Sequence, residues 1–121
     1  MASAVDMSDF ARERHIYLTT KGRKTGMPHT VQLMFAIDKR KIYLSHEGKY
    51  TDWMRNILKD SNVEFRIGGT KFKGRAHIVK GGEAFETGKH SLYLKYYGEA
   101  EEDIIDDWFS ESTIIEILID G

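Results

Sequence analysis

Two-residue alternation of apolar and polar side chains, punctuated by glycine turns, dominates the first 80 residues and leaves room for only one short helix. Val31, Leu33, Phe35 and Ile37 alternate with Thr30, Gln32, Met34 and Ala36, the period of a strand that buries one face. Pro28–Asp38 therefore reads as one strand. After the polar run Asp38-Lys39-Arg40-Lys41, Ile42 and Leu44 alternate with Tyr43 and Ser45 and complete a hairpin. Upstream, His15–Thr20 is β-branched and aromatic enough to form a strand ended by Lys21-Gly22. Downstream, Val63, Phe65 and Ile67 pair with a strand carrying Phe72, Ala76 and Ile78 across a Gly68-Gly69 turn. Gly74 in that second strand marks a bulge or a close backbone approach.

Helical spacing enters at Thr51–Lys59, where Trp53, Met54, Ile57 and Leu58 share a face and Thr51 stands ready to cap the start. Glu83–Tyr97 and Glu101–Phe109 also read as helices, separated by Gly98, and Thr113–Ile119 is a dense apolar closing strand. The order β-β-β-α-β-β-α-α-β places about six antiparallel strands around one small helix, which predicts a mainly β fold, a compact barrel. A doubly wound parallel sheet needs alternating long helices between strands, and the first 80 residues have none. We expect one domain over residues 1–121.

The chain has no cysteine, which excludes disulfides, thiolate metal sites and cysteine nucleophiles. No apolar run approaches the about 20 residues of a membrane span, and MASAVDMSDF lacks a signal-peptide pattern, so a cytoplasmic protein is expected. The net charge of −1 hides an asymmetry. Residues 1–98 hold all 18 Lys and Arg against ten acids, a net of +8, whereas residues 99–121 hold nine acids and no base. A basic body suits an anionic ligand. Nucleic acid is disfavoured as that ligand because the basic residues lack an interleaved aromatic platform.

Lys21-Gly22-Arg23-Lys24-Thr25-Gly26-Met27-Pro28-His29 concentrates cations, a hydroxyl and a histidine between two glycines in a loop joining two strands. Glycines turn backbone amides toward a ligand and Arg and Lys add charge, a combination suited to phosphate, although the spacing is not that of a Walker loop. Ser45-His46-Glu47-Gly48-Lys49, ahead of the Trp53 helix, offers a second polar strand end. The five histidines show no His-x3-His spacing with a carboxylate, and no metal is expected. No Gly-x-Ser-x-Gly elbow is present either.

Taken together, Leu18-Thr19-Thr20-Lys21-Gly22-Arg23-Lys24-Thr25-Gly26 and Trp53-Met54-Arg55-Asn56-Ile57-Leu58-Lys59-Asp60-Ser61-Asn62-Val63 resemble the deazaflavin-dependent nitroreductase and quinone reductase family. The resemblance covers about residues 16–79 and implies the FMN-binding split-barrel superfold, with coenzyme F420 (a deazaflavin) as the cofactor and FMN as the alternative. Carried residue by residue, it implies that Arg23, Lys24 and Thr25 contact the coenzyme phosphate and that His29 takes the place of another cation. Gln32 and Met34 would line the ring pocket. Ser45, His46 and Gly48 would face the ring edge or side chain, and Trp53 and Asn56 would brace the wall. Tyr96 and Tyr97 are the candidates for the acceptor-side tyrosines. Two departures stand out: Gln32-Leu33 replaces the family's Pro-Leu, and Ser61-Asn62-Val63 replaces its Ala-Asn-Pro. The implied activity is hydride transfer to a planar acceptor such as a quinone or nitro compound, in a homodimer. A carrier without turnover is the alternative outside catalysis.

Overall fold

In the computed structural model, which describes residues 7–120, seven strands form one antiparallel sheet. They are β1 (Ile16–Lys21), β2 (Pro28–Leu33), β3 (Ala36–Asp38), β4 (Lys41–Glu47), β5 (Asn62–Ile67), β6 (Thr70–Val79) and β7 (Ser112–Ile119), in the spatial order β2-β1-β5-β6-β7-β4-β3. The helices are α1 (Asp52–Lys59), α2 (Gly82–Tyr97) and α3 (Glu102–Trp108), preceded by a 3-10 turn over Met7–Phe10.

The expected Pro28–Asp38 strand is two strands. β2 pairs with β1 at one edge of the sheet and β3 pairs with β4 at the other, so Met34 and Phe35 carry the chain from edge to edge. This divides about six expected strands into seven and curls the sheet into a half-barrel. Side-chain alternation passes through the link undisturbed. Phe35 joins the interior cluster with Val31, Leu33 and Ile37, while Ala36 joins the cluster beneath α2.

Both faces of the sheet's β7–β4 region are covered. Ile42, Leu44, Ile115 and Ile117 point inward to meet Trp53, Met54 and Ile57 of α1. Tyr43 and Ile114 point the other way, against Leu92, Ile105 and Phe109 of α2, α3 and the residues that follow. That double coverage explains the nearly continuous apolar sequence of β7. Each such fully buried aliphatic side chain contributes about 1.5–3 kcal/mol relative to exposure. Glu116 is the exception in β7, only 4% exposed. It accepts a hydrogen bond from the Tyr43 hydroxyl (2.8 Å), and its carboxylate lies 3.0 Å from His77 Nε2 and 3.9 Å from Lys41 Nζ. Burial and this carboxylate hold the Tyr43 phenol well above its ordinary pKa.

Gly74 is a close-approach residue: a Cβ there would meet the Leu118 carbonyl oxygen at 2.6 Å. Thr51 does occupy the N-cap position of α1 with extended backbone, but its hydroxyl makes no capping bond and is buried without a partner. The capping role expected of that side chain is therefore not realised. Among the described residues no helix is long and apolar enough to cross a membrane.

Candidate functional site

The β1–β2 connection folds back on itself through two backbone bonds. Gly22 N–H donates to the Met27 carbonyl and Gly26 N–H donates to the Gly22 carbonyl, both at 2.8 Å. Gly26 closes the loop with φ of +76°, a conformation that side chains resist. Thr25 Oγ1 accepts from Met27 N–H (3.2 Å).

Helix α1 clamps this loop from below. Asn56, 2% exposed, offers one carbonyl oxygen that accepts from both the backbone N–H and Nη1 of Arg23, each at 3.1 Å. Its Nδ2 donates to Thr20 Oγ1 at 3.0 Å, tying α1 to β1 as well. Arg23 Nη2 reaches Asp52 Oδ1 at 3.2 Å. Every polar atom of the Asn56 amide is therefore engaged, and Arg23 is fixed at its backbone and its guanidinium.

Around this clamp Gly22, Lys24, Thr25, Met27, Pro28 and His29 line a cleft of about 280 Å³ together with Arg23, Asp52 and Asn56. Lys24 makes no ion pair among the described residues, and Asp52, the one carboxylate in the lining, already faces Arg23. The cleft thus presents a free ammonium, a held guanidinium, a hydroxyl and an imidazole. A larger cavity, about 480 Å³, lies along β1, β5 and β6 and shares Lys21, Gly26 and Pro28 with the loop. Glu64 and Asp120 line it, and Arg23, Lys24 and His29 do not. The larger cavity sets Lys21 and Lys73 against those two carboxylates, whereas the smaller cleft gathers Arg23, Lys24 and His29 around a carboxylate that is already paired and is the better seat for an anion.

The structure therefore brings together Arg23, Lys24, Thr25, His29 and Asn56. Trp53 is buried in the interior cluster one turn of α1 away, 4% exposed. Gln32 on β2 is exposed opposite Tyr17, and Met34 is 46% exposed in the β2–β3 link. Ser45 and His46 are half-buried on β4, opposite Ile114 and Thr113. Gly48 follows with φ of +86°, its N–H donating to the Glu111 carbonyl. None of Gln32, Met34, Ser45, His46 and Gly48 lines the cleft.

The two tyrosines occupy different surroundings. The Tyr96 hydroxyl accepts from Phe35 N–H (3.0 Å) and donates toward the carbonyls of Arg14 (2.7 Å) and Phe35 (3.0 Å), and burial raises its pKa. Tyr97 is 51% exposed and its ring lies 4.8 Å from that of Trp108, which is 55% exposed, and 5.2 Å from that of Tyr93. Beside Tyr96, the Lys95 ammonium sits 3.6 Å from the centre of the Phe35 ring and donates to the Glu13 carbonyl at 2.6 Å. Burial and the Arg14 charge push Lys95 down to about 8. Lys89 goes the other way. Its burial favours the neutral amine, but hydrogen bonds to Asp106 and Glu86 prevail and raise its pKa.

The sequence model of the F420H(2)-dependent quinone reductase family matches residues 5–95, a span that includes the loop, α1 and most of the sheet. This chain belongs to that family. F420H(2)-dependent quinone reductases are oxidoreductases, and the fold agrees with the assignment. A conserved hypothetical protein from Mycobacterium tuberculosis superposes with a TM-score of 0.80 at 23% identity, over 100% of this chain and 82% of the other. A structure described as an F420 reductase gives 0.63 at 19%, over 99% and 97%. A pyridoxamine-5'-phosphate-oxidase-like protein of Listeria innocua gives 0.67 at 14%, over 95% and 90%. At these identities the likeness establishes the fold, the pyridoxamine-phosphate-oxidase-like split barrel. No curated protein sequence matches the chain.

The sequence motifs point to Arg23 and Lys24 but not to Asp52, whose pairing with Arg23 requires the α1 start to stand beside the loop. Acid in the first helical turn is a common dipole partner and carries no such information by itself.

Proposed function

We propose that this chain binds coenzyme F420 with its phosphate in the Gly22–His29 cleft and serves hydride transfer to a small planar acceptor, a quinone or a nitro compound. The observation that carries the reading is the clamp of Asn56 and Asp52 on Arg23, which leaves Lys24, Thr25 and His29 facing one cleft with no unpaired carboxylate. That donor set fits a phosphate. Charge-assisted bonds from Lys24 and Arg23 would hold it, the Thr25 hydroxyl would add a neutral donor, and His29 would add a donor with or without charge.

Bound reduced deazaflavin supplies the hydride. The chain's own task is then positioning. Asn56 fixes the loop against α1 so that the phosphate anchor does not shift with the ligand. Gln32 and Met34, with Ser45, His46 and Gly48, are proposed for the ring and side chain, and Trp53 for support behind α1. Of the acceptor-side tyrosines, Tyr97 is the one with an open ring. Tyr96, whose hydroxyl is engaged by main chain, is proposed to set the position of that end of α2. A homodimer is the proposed working form.

Titration calorimetry with F420 and FMN tests the coenzyme, followed by turnover of the reduced coenzyme with a quinone. Binding of F420 with oxidation of its reduced form by the quinone is expected. Binding of FMN alone would move the assignment to the alternative coenzyme, F420 binding without turnover would make the chain a carrier, and no binding of either would remove the cleft from function.

A further inference from the structure

We propose that Glu86, His90 and Glu102 form a binding site for a first-row divalent cation, Zn²⁺ foremost, that joins α2 to α3. The site lies outside the coenzyme cleft and does not rest on the coenzyme assignment. Glu86 and His90 stand four residues apart on α2, the spacing that sets two side chains on one helical face. Glu102 comes from the first turn of α3. One ligand atom from each of the three lies within 4.8 Å of the other two.

Distances decide whether this geometry suffices. Zinc takes imidazole nitrogen and carboxylate oxygen at about 2.0–2.2 Å, so ligand atoms around a tetrahedral ion sit roughly 3.4 Å apart. The gap is bridged by about an ångström of side-chain rotation, and all three groups are open enough to make it. The His90 and Glu102 side chains make no hydrogen bond or ion pair among the described residues, so neither must give up a partner. Glu86 is held by Lys89 through Oε2 at 3.2 Å. The same Lys89 reaches Asp106 Oδ1 of α3 at 2.6 Å, and this bridge ties the two helices together beside the proposed ligands.

The surroundings suit a cation in charge as well as in shape. Glu101, Glu102, Asp103, Asp106 and Asp107 cluster on and just before α3, and the neighbouring Lys89 ammonium is itself paired with Asp106 and Glu86. One imidazole with two carboxylates is a borderline donor set that favours Zn²⁺, Ni²⁺ or Cu²⁺ over Ca²⁺ and Mg²⁺, which prefer oxygen alone. No metal is expected from paired-histidine spacing, and Glu86-x3-His90 becomes a triad only when α3 folds back.

The test titrates the full chain with Zn²⁺ in calorimetry, with Mg²⁺ as comparator, while the His90 ring protons are followed by NMR. One equivalent of Zn²⁺, a shift of the His90 signals and a thermal midpoint that climbs with Zn²⁺ are expected, with no matching response to Mg²⁺. His90→Ala should weaken binding about tenfold or more and Glu102→Gln should weaken it as well, whereas His15→Ala should leave it unchanged. All three positions are exposed, and circular dichroism checks that the variants remain folded. Unchanged Zn²⁺ affinity in His90→Ala, or equal weakening by His15→Ala, would overturn the site.

Discussion

Asn56 and Arg23 meet twice through a single oxygen: the backbone N–H and Nη1 of Arg23 both donate to Asn56 Oδ1 at 3.1 Å. A loop residue is thereby fixed at both ends by a helix residue 33 positions away. The loop's shape belongs to the protein before any ligand arrives, and preorganisation of this kind lowers the ordering cost of binding.

Lys24→Ala and Arg23→Ala should each reduce coenzyme affinity by about 1.5–3 kcal/mol, the scale of one lost charge-assisted contact. They should differ in their effect on the apo protein. Lys24→Ala removes a side chain with no ion pair, so the melting temperature should hold, whereas Arg23→Ala leaves the buried Asn56 oxygen with the backbone donor alone and should lower it. Calorimetry and thermal melts of the two variants read both effects. Equal coenzyme affinity in wild type and both variants would exclude the cleft as the phosphate seat.

Tyr96→Phe should cost about 1–3 kcal/mol of stability, because Phe35 N–H and the Arg14 carbonyl lose their shared partner. Tyr97→Phe should leave stability unchanged, and Tyr97→Ala should raise KM for the acceptor, since the Tyr97 ring is half-exposed against Trp108. Denaturant melts with steady-state kinetics separate these outcomes. A Tyr96→Phe variant of wild-type stability would show that the hydroxyl does not hold α2 to the link.

Lys95 gives stability a pH dependence of definite sign. Its pKa falls from 10.5 in the unfolded reference to about 8 in the fold, so between those values the unfolded chain binds the extra proton. Stability should therefore rise as pH climbs through that window, and the penalty of the buried ammonium should be fully present below about pH 8. The comparison of wild type with Lys95→Met isolates the effect, with the difference between them changing between pH 8 and 10.5. A pH-independent difference would contradict the lowered pKa.

Gly88→Ala should destabilise the chain by about 1–3 kcal/mol through overpacking. A Cβ at Gly88 would lie 2.9 Å from Tyr43 Cδ1 and 2.9 Å from Ile114 Cγ2, both within the buried layer between α2 and the sheet. Equilibrium unfolding measures it, and a neutral result would mean that α2 slides on the sheet at little cost.

The strands were legible in the sequence wherever one face is polar, as in β1 and β5, because burial on one side writes a period of two. The passage from β2 to β3 was not. Val31, Leu33, Phe35 and Ile37 keep the same phase while the chain leaves one edge and enters the other, so the alternation carries no trace of the crossing. The loop cations were legible as a group from their spacing between glycines. Their division into a clamped Arg23 and a free Lys24 depends on Asn56 and Asp52, which lie on another element and enter the cleft only through tertiary structure.

The edge-to-edge link at Met34–Phe35 also bears on how this sheet avoids sticking to its neighbours. An open seven-stranded sheet has two edges, each a template for a foreign strand. Here both edges start from the same two-residue connection, and at that junction the Tyr96 hydroxyl occupies the N–H and carbonyl of Phe35. Main-chain groups that would otherwise invite an incoming strand are already engaged there by a side chain.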